Sequence, residues 1–152
     1  MRMATTKLQL RILTAESVKF DEPVDMVIMR CIVEDMGVRS AVGDIGILPG
    51  HMPLSAVLSI SPLRIKNDDN VRIIAVHGGV VNVRDDVVTV MTDMAEWPEE
   101  IDLARAEAAK AKAEAEAQNF ADDKEIRSNQ ISLRRALVQI EVSSYPLVGG
   151  RK

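Results

Sequence analysis

Side chains able to attack, ligate or shuttle protons are scarce in this sequence. His51, His77 and Cys31 are its only histidines and its only cysteine. A structural zinc site takes four Cys or His ligands, so three widely spaced residues of these types do not supply one. Neither a G-x-x-x-x-G-K-[ST] phosphate loop nor a G-x-S-x-G nucleophile elbow occurs. Gly43, Gly46 and Gly50 read as turn residues. Cys31 stands in an apolar run and reads as a small buried hydrophobe. Having no partner for an internal disulfide, it suits a reducing compartment. His77 precedes Gly78-Gly79 and reads as the edge of a turn. His51 lies in Gly46-Ile47-Leu48-Pro49-Gly50-His51-Met52-Pro53, which reads equally as a rigid turn or as a functional loop. Arg105, Arg127, Arg134 and Arg135 read as a solvated helical face.

The elements that carry these residues change character near residue 96. From Lys7 to Thr92 the chain is β-branched and broken by turn signals. Leu8, Leu10 and Ile12 alternate with Gln9 and Arg11, the period of a half-buried strand. The apolar run Val24 to Val33 suits a central strand. Leu63-Arg64-Ile65 and Val71 to Val76 flank Asn67-Asp68-Asp69-Asn70 and read as a β-hairpin. His77-Gly78-Gly79 reads as a further reversal. Asp85-Asp86 separates Val81-Asn82-Val83-Arg84 from Val87 to Met91. Short strands at this spacing predict a β-sandwich or barrel-like domain over residues 1–96.

Residues 97–152 predict an antiparallel two-helix hairpin and a loose tail. Pro98 suits a first helical residue, with Glu99, Glu100 and Asp102 in the first turn. Alanine-rich sequence follows, and Ile101, Ala104, Ala108, Ala111 and Ala115 form a stripe that another helix could approach closely. Asn119 to Asp123 reads as a turn, and Asp122 with Glu125 as a capping box. The second helix runs from about Asp123 to Val142, with Ile126, Leu133, Leu137 and Ile140 on one apolar seam. The tail, from Ser143 to Lys152, holds Pro146 and Gly149-Gly150. Alanine burial stabilises little, and isolated helices of this length are marginal in water. Such a hairpin needs a docking surface and is able to exchange one surface for another.

Composition bounds the function classes. Hydrophobic residues make up 47% and aromatics only 3%, so the core must be Val, Ile, Leu and Met. The net charge of −4 opposes general nucleic-acid binding, which needs a basic surface. No apolar run reaches the roughly 20 residues of a membrane-spanning helix. The reading is a cytosolic chain that reaches membranes only through a partner.

Three strings carry a family resemblance. Gly43-Asp44-Ile45-Gly46-Ile47-Leu48-Pro49-Gly50-His51-Met52-Pro53-Leu54 closely resembles the signature loop of the epsilon subunits of F-type ATP synthases. Ala75-Val76-His77-Gly78-Gly79, followed by Val83 and Val87-Val88-Thr89-Val90, resembles that family's double-glycine turn and "VTV" strand. Ile101-Asp102-Leu103-Ala104-Arg105-Ala106 resembles its I-D-x-x-R-A motif. The resemblance covers nearly the whole chain.

It implies a non-catalytic central-stalk subunit on the cytoplasmic face of the bacterial plasma membrane. The β-domain would couple the gamma subunit to the c-ring, with Asp44, Gly46, Leu48, Pro49 and His51 at the ring-facing loop. A carboxylate there would pair with a basic ring residue. The hairpin would permit turnover when folded down and block ATP hydrolysis when extended into the alpha/beta catalytic head. Arg127, Arg134 and Arg135 would meet acidic groups there. In some members ATP stabilises the folded hairpin, and Ile101, Asp102, Arg105, Ala106 and Arg135 match that site. Gln139 stands where a second arginine is found, and Lys112 where an arginine is frequent. A planar, bidentate phosphate ligand is thereby lost, so the resemblance implies weak ATP binding or none. Residues 30–40 look like an insertion that lengthens a hairpin near the ring contact. Two other classes compete: a β-sandwich adaptor with an unrelated partner, and a cupin-like enzyme, for which two histidines are too few.

Overall fold

The computed structural model describes residues 6–35, 38–120 and 122–145, with side chains left out of account at 33–35 and 38–41. The tail from Pro146 and the Met36-Gly37 tip of the apparent insertion lie outside the described residues. Eight strands come first: β1 (Leu8–Leu13), β2 (Val18–Val24), β3 (Met26–Asp35), β4 (Val38–Ile47), β5 (Leu54–Asn67), β6 (Asn70–Arg84), β7 (Val87–Met91) and β8 (Ala95–Glu96). A 3-10 turn at Pro98–Glu100 leads to helices α1 (Leu103–Glu116) and α2 (Asp123–Ser143).

The strands are hydrogen-bonded in the order β2-β1-β7-β6-β5-β3-β4, with β8 on β6. Two unusually long strands, β5 and β6, let this one ladder fold over into a sandwich. Their hairpin turns at Asp68-Asp69, where Asp68 has a φ of 56°. The β6–β7 turn places Asp85 and Asp86 at φ 49° and 61°, the geometry of a tight two-residue hairpin loop. Both turns fall where the Asn/Asp clusters predict them. Pro23 lies within β2, an edge strand, where a missing N–H costs no ladder bond.

His77-Gly78-Gly79 is not a reversal. The ladder to β5 keeps its register past it, from Leu58↔Gly79 to Ile60↔His77. Gly78 and Gly79, at φ 81° and 123°, instead bend β6, so that the edge opposite β5 pairs with β8 before the bend and with β7 after it. A Cβ on Gly79 would collide with the Met91 carbonyl oxygen, so only glycine fits.

Leu8, Leu10 and Ile12 of β1 meet Val27, Met29 and Cys31 of β3 and Ile74, Val76, Val81 and Val83 of β6 in one core. Trp97 closes it, its ring 6.0 Å from that of Phe20 and covered by the Arg72 guanidinium at 4.0 Å. A second, smaller cluster lies on the other face of β6. There Ile73 and Ala75 pack against Val138 and Val142 of α2, with Ile60, Ile101 and Tyr145 around them. The run Ile73 to His77 is therefore buried on both faces, inside the sandwich and under the hairpin.

The helices start where capping directs. Glu100 accepts the Trp97 N–H at 3.1 Å and pairs with Lys19 at 2.8 Å, so the backbone turns once at Pro98 before α1 starts. Asp102 then caps α1 by accepting from the Arg105 N–H, and Asp122 caps α2 by accepting from the Glu125 N–H. The interhelical contact departs from the predicted stripes. Ala106 and Ala113 of α1 are buried with Ala136 of α2, whereas Ala104, Ala108, Ala111 and Ala115 are exposed. On α2, Ala136, Val138 and Val142 are buried, while Ile126 and Leu137 remain 39% and 38% exposed. An all-alanine stripe marks no preferred face, and the residues that α2 buries, Ala136, Val138 and Val142, are small or medium in size.

Candidate functional site

The predicted residues fall into three places. Asp44 is not on a loop. It sits in β4, opposite Arg30, and accepts its Nε–H at 2.8 Å. That hydrogen bond holds the Asp44 carboxyl below its ordinary value and raises Arg30. Gly46 lies one step along the same strand face. A Cβ there would press on the Met26 methyl.

Leu48, Pro49 and His51 form the turn that follows β4. The His51 N–H donates to the Leu48 carbonyl at 3.1 Å, and His51 Nδ1 lies 2.7 Å from the Met52 carbonyl. The Gly50 N–H donates to Asp86 Oδ1 at 2.7 Å, which fixes this turn to the β6–β7 turn. Leu48 and Met52 are exposed at this end of the sandwich. The extended β3–β4 hairpin points the other way. Asp35 and Val38, paired at its far end, lie about ten strand residues from the signature turn, or about 30 Å at the usual strand rise. The apparent insertion therefore does not lie near that turn.

The basic residues of α2 do not share one face. Arg127 and Arg134 overhang a groove of about 730 Å³ floored by Ile32, Val42, Leu58 and Ile60, with Arg30 and Asp44 at its side. Arg134 Nε donates to the Ile60 carbonyl at 3.0 Å, which ties α2 to β5. Arg135 turns to the opposite side. It lines a cavity of about 390 Å³ between the helices, together with Asp102, Arg105, Ala106 and Gln139. Four of the five residues matched to nucleotide binding thus meet there, while Ile101 packs against the Val138–Val142 cluster. The same cavity holds three carboxylates, Glu96, Glu100 and Asp102, against two guanidiniums. That field disfavours a polyphosphate, and Lys112 is not among the lining residues.

Sequence reading missed the polar junction beneath α2. Glu96 Oε1 accepts from Gln139 Nε2 at 2.8 Å and lies 2.9 Å from His77 Nε2. The His77 side chain is wholly buried, and its Nδ1 has no hydrogen-bond partner among the described residues. Burial pushes its pKa below the usual histidine value, against the opposing pull of Glu96. The alternation of β6 put a signal there, since His77 shares the Ile73 and Ala75 face, but the double glycine masked it. Cys31 is buried in the main core, and burial raises its thiol. No three metal-ligating side chains lie together among the described residues.

A β-sandwich with a helical hairpin folded onto one outer face, and exposed apolar surface beside the hairpin, defines a small assembly subunit. Two family models match in tandem, the ATP synthase delta/epsilon chain β-sandwich domain over residues 7–98 and the delta/epsilon chain long α-helix domain over 99–144. The chain is 38% identical to the ATP synthase epsilon chain of Bacillus licheniformis, covering 90% of this chain and 97% of that one. It is 38% identical to the epsilon chain of Bacillus subtilis over 93% and 98% of the two chains. It belongs to the epsilon-chain family of ATP synthases. A chain in the Euglena gracilis mitochondrial ATP synthase, solved by cryo-EM as OSCP, F1 and c-ring, shares the fold. That match has a TM-score of 0.74 and 22% identity, over 95% of this chain and 84% of that one.

Proposed function

We propose that this epsilon chain is a non-catalytic rotor subunit that couples the gamma subunit to the c-ring and restrains ATP hydrolysis through its hairpin. It works at the cytoplasmic face of the bacterial plasma membrane, held there peripherally by the complex. Residues 1–96 form the docking domain and 97–152 the regulatory domain.

One observation carries this reading. Val42, Ile32, Val57, Val80 and Met91 stand in register across five neighbouring strands, β4-β3-β5-β6-β7. Their row crosses the outer face of the sheet, and Val42, Val57, Val80 and Met91 are exposed. A continuous apolar band of this kind marks a protein interface. It suits gamma, while the Leu48–His51 turn at the end of the sandwich suits the ring. Ile126 and Leu137 on the outward side of α2 suit a second surface for the hairpin, with the alpha/beta head as its extended-state partner. ATP between the helices at Asp102, Arg105 and Arg135 binds weakly or not at all, since three carboxylates share that cavity.

The test compares ATP hydrolysis by the parent complex carrying the full chain or a chain cut after Asp102. This cut keeps Trp97 in the core and Glu100 on its partners. Assembly with faster hydrolysis is the expected outcome. An unchanged rate would remove the braking role, and failure of both chains to assemble would remove the rotor role.

A further inference from the structure

His77 stands at a point where three elements meet. It projects from β6 on the face that α2 covers. Glu96 reaches it from β8, at 2.9 Å from Nε2, and the same Glu96 oxygen accepts from Gln139 of α2 at 2.8 Å. The carboxylate therefore joins the sheet to the hairpin, across 43 residues of sequence. Few other polar contacts cross this boundary. Arg134 donates to the Ile60 carbonyl, and Val138 and Val142 supply the apolar seat.

The arrangement specifies one protonation state. With Nε2–H donating to Glu96, Nδ1 is the unprotonated nitrogen. It is buried and meets neither donor nor acceptor among the described residues. A second proton on the ring would add a buried N–H with nothing to receive it, which is costly in a water-excluded site. The surrounding charges do not reverse this. Glu96 from β8 favours the imidazolium, and Arg135 from α2 opposes it. Ile60 of β5, paired with His77, brings no charge. Glu100, Asp102 and Arg105 line the neighbouring cavity and not the ring.

We propose that His77, Glu96 and Gln139 form an acid-sensitive latch, closed when the imidazole is neutral and opened when it takes a proton. The inference rests on the reading of the hairpin as a mobile element. Lifting α2 exposes His77 to water, where Nδ1–H finds a partner, so the released state binds the proton more tightly. Linkage gives the sign. The group is harder to protonate in the closed state, so closure is complete at pH values above the ordinary 6.5 and weakens as pH falls below it. Between the released-state and closed-state values, the opening equilibrium rises about tenfold per pH unit. On the proposed function, the hairpin becomes available to brake hydrolysis when the surrounding solution turns acid.

The test is an NMR titration of the unmodified full chain from pH 8 to pH 5, following the His77 imidazole and the backbone amides together. The expected result is loss of the seated α1 and α2 signals in step with His77 protonation, with the sandwich signals in place. His77→Gln keeps an N–H for Glu96 and does not titrate, so its hairpin signals stay constant. His77→Phe serves as a second non-titrating variant. The latch is overturned if His77 protonates under a seated hairpin. It is equally overturned if the hairpin holds unchanged to pH 5, or if both variants release like the parent. A flat titration beside faster hydrolysis in the chain cut after Asp102 would remove the latch and leave the brake.

Discussion

The two faces of β6 are packed very differently, although they alternate along one strand. On the inner face, Ile74, Val76, Val81 and Val83 join a core of twenty buried residues among those described, drawn from all eight strands and closed by Trp97. On the outer face, among the described residues, Ile73 and Ala75 meet only Val138 and Val142 as buried partners. Burying each valine contributes about 1.5–3 kcal/mol, so the hairpin seat is worth a small fraction of what holds the sandwich. The same strand thus serves a permanent core and a releasable contact. Ile126, Ile131 and Leu137 of α2 stay exposed, which leaves them free for another surface.

Substitutions separate the two packings, and the largest effect belongs to the core. Ile74→Ala removes a fully buried side chain and is expected to destabilise the whole chain by about 2–5 kcal/mol, read from urea denaturation. Val142→Asp acts on the seat alone. It sets an unpaired carboxylate against Ile73 and Ala75 and is expected to shift seating at least tenfold toward release. Circular dichroism and proteolysis would show a freed hairpin on a sandwich that melts as before. A single joint unfolding transition would break the comparison. Asp44→Asn has the smallest effect. Its pair with Arg30 is half exposed, so the cost is about 1 kcal/mol or less. Asp44 titrates below its ordinary 3.8, so this contribution is fully present above 3.8 and is lost as pH falls through the lower folded-state value. The small difference between variant and parent in thermal melts should therefore be greatest near pH 7 and shrink as pH falls below 3.8.

Local chemistry was legible where it acts alone. The turns at Asp68-Asp69 and Asp85-Asp86, and the cap at Asp122, follow from what Asn and Asp do to their own backbone. The strand alternation of Leu8, Leu10 and Ile12 likewise needs no tertiary information. Positions set by distant partners were not legible. Gly78-Gly79 carries the same signal for a reversal as for a bend, and pairing with β5 and β7 decides between them. The seam of Ile126, Leu133, Leu137 and Ile140 reads as a core face, yet the sheet takes Val138 and Val142 instead. Glu96 carries no local mark. Its importance comes from two donors that lie 19 and 43 residues away. Asp44 sits in a string that reads as a loop, but Arg30 on the neighbouring strand holds it in the sheet.

Native-state hydrogen exchange of the full chain tests the central claim most directly, because it reads the free energy of opening segment by segment. The amides of α1 and α2 are predicted to exchange together through an opening several kcal/mol cheaper than the one that exposes β1, β3 and the inner half of β6. Equal protection in hairpin and sandwich, merging into one global unfolding, would contradict the account: the hairpin would then be a fixed part of the core and not a releasable arm.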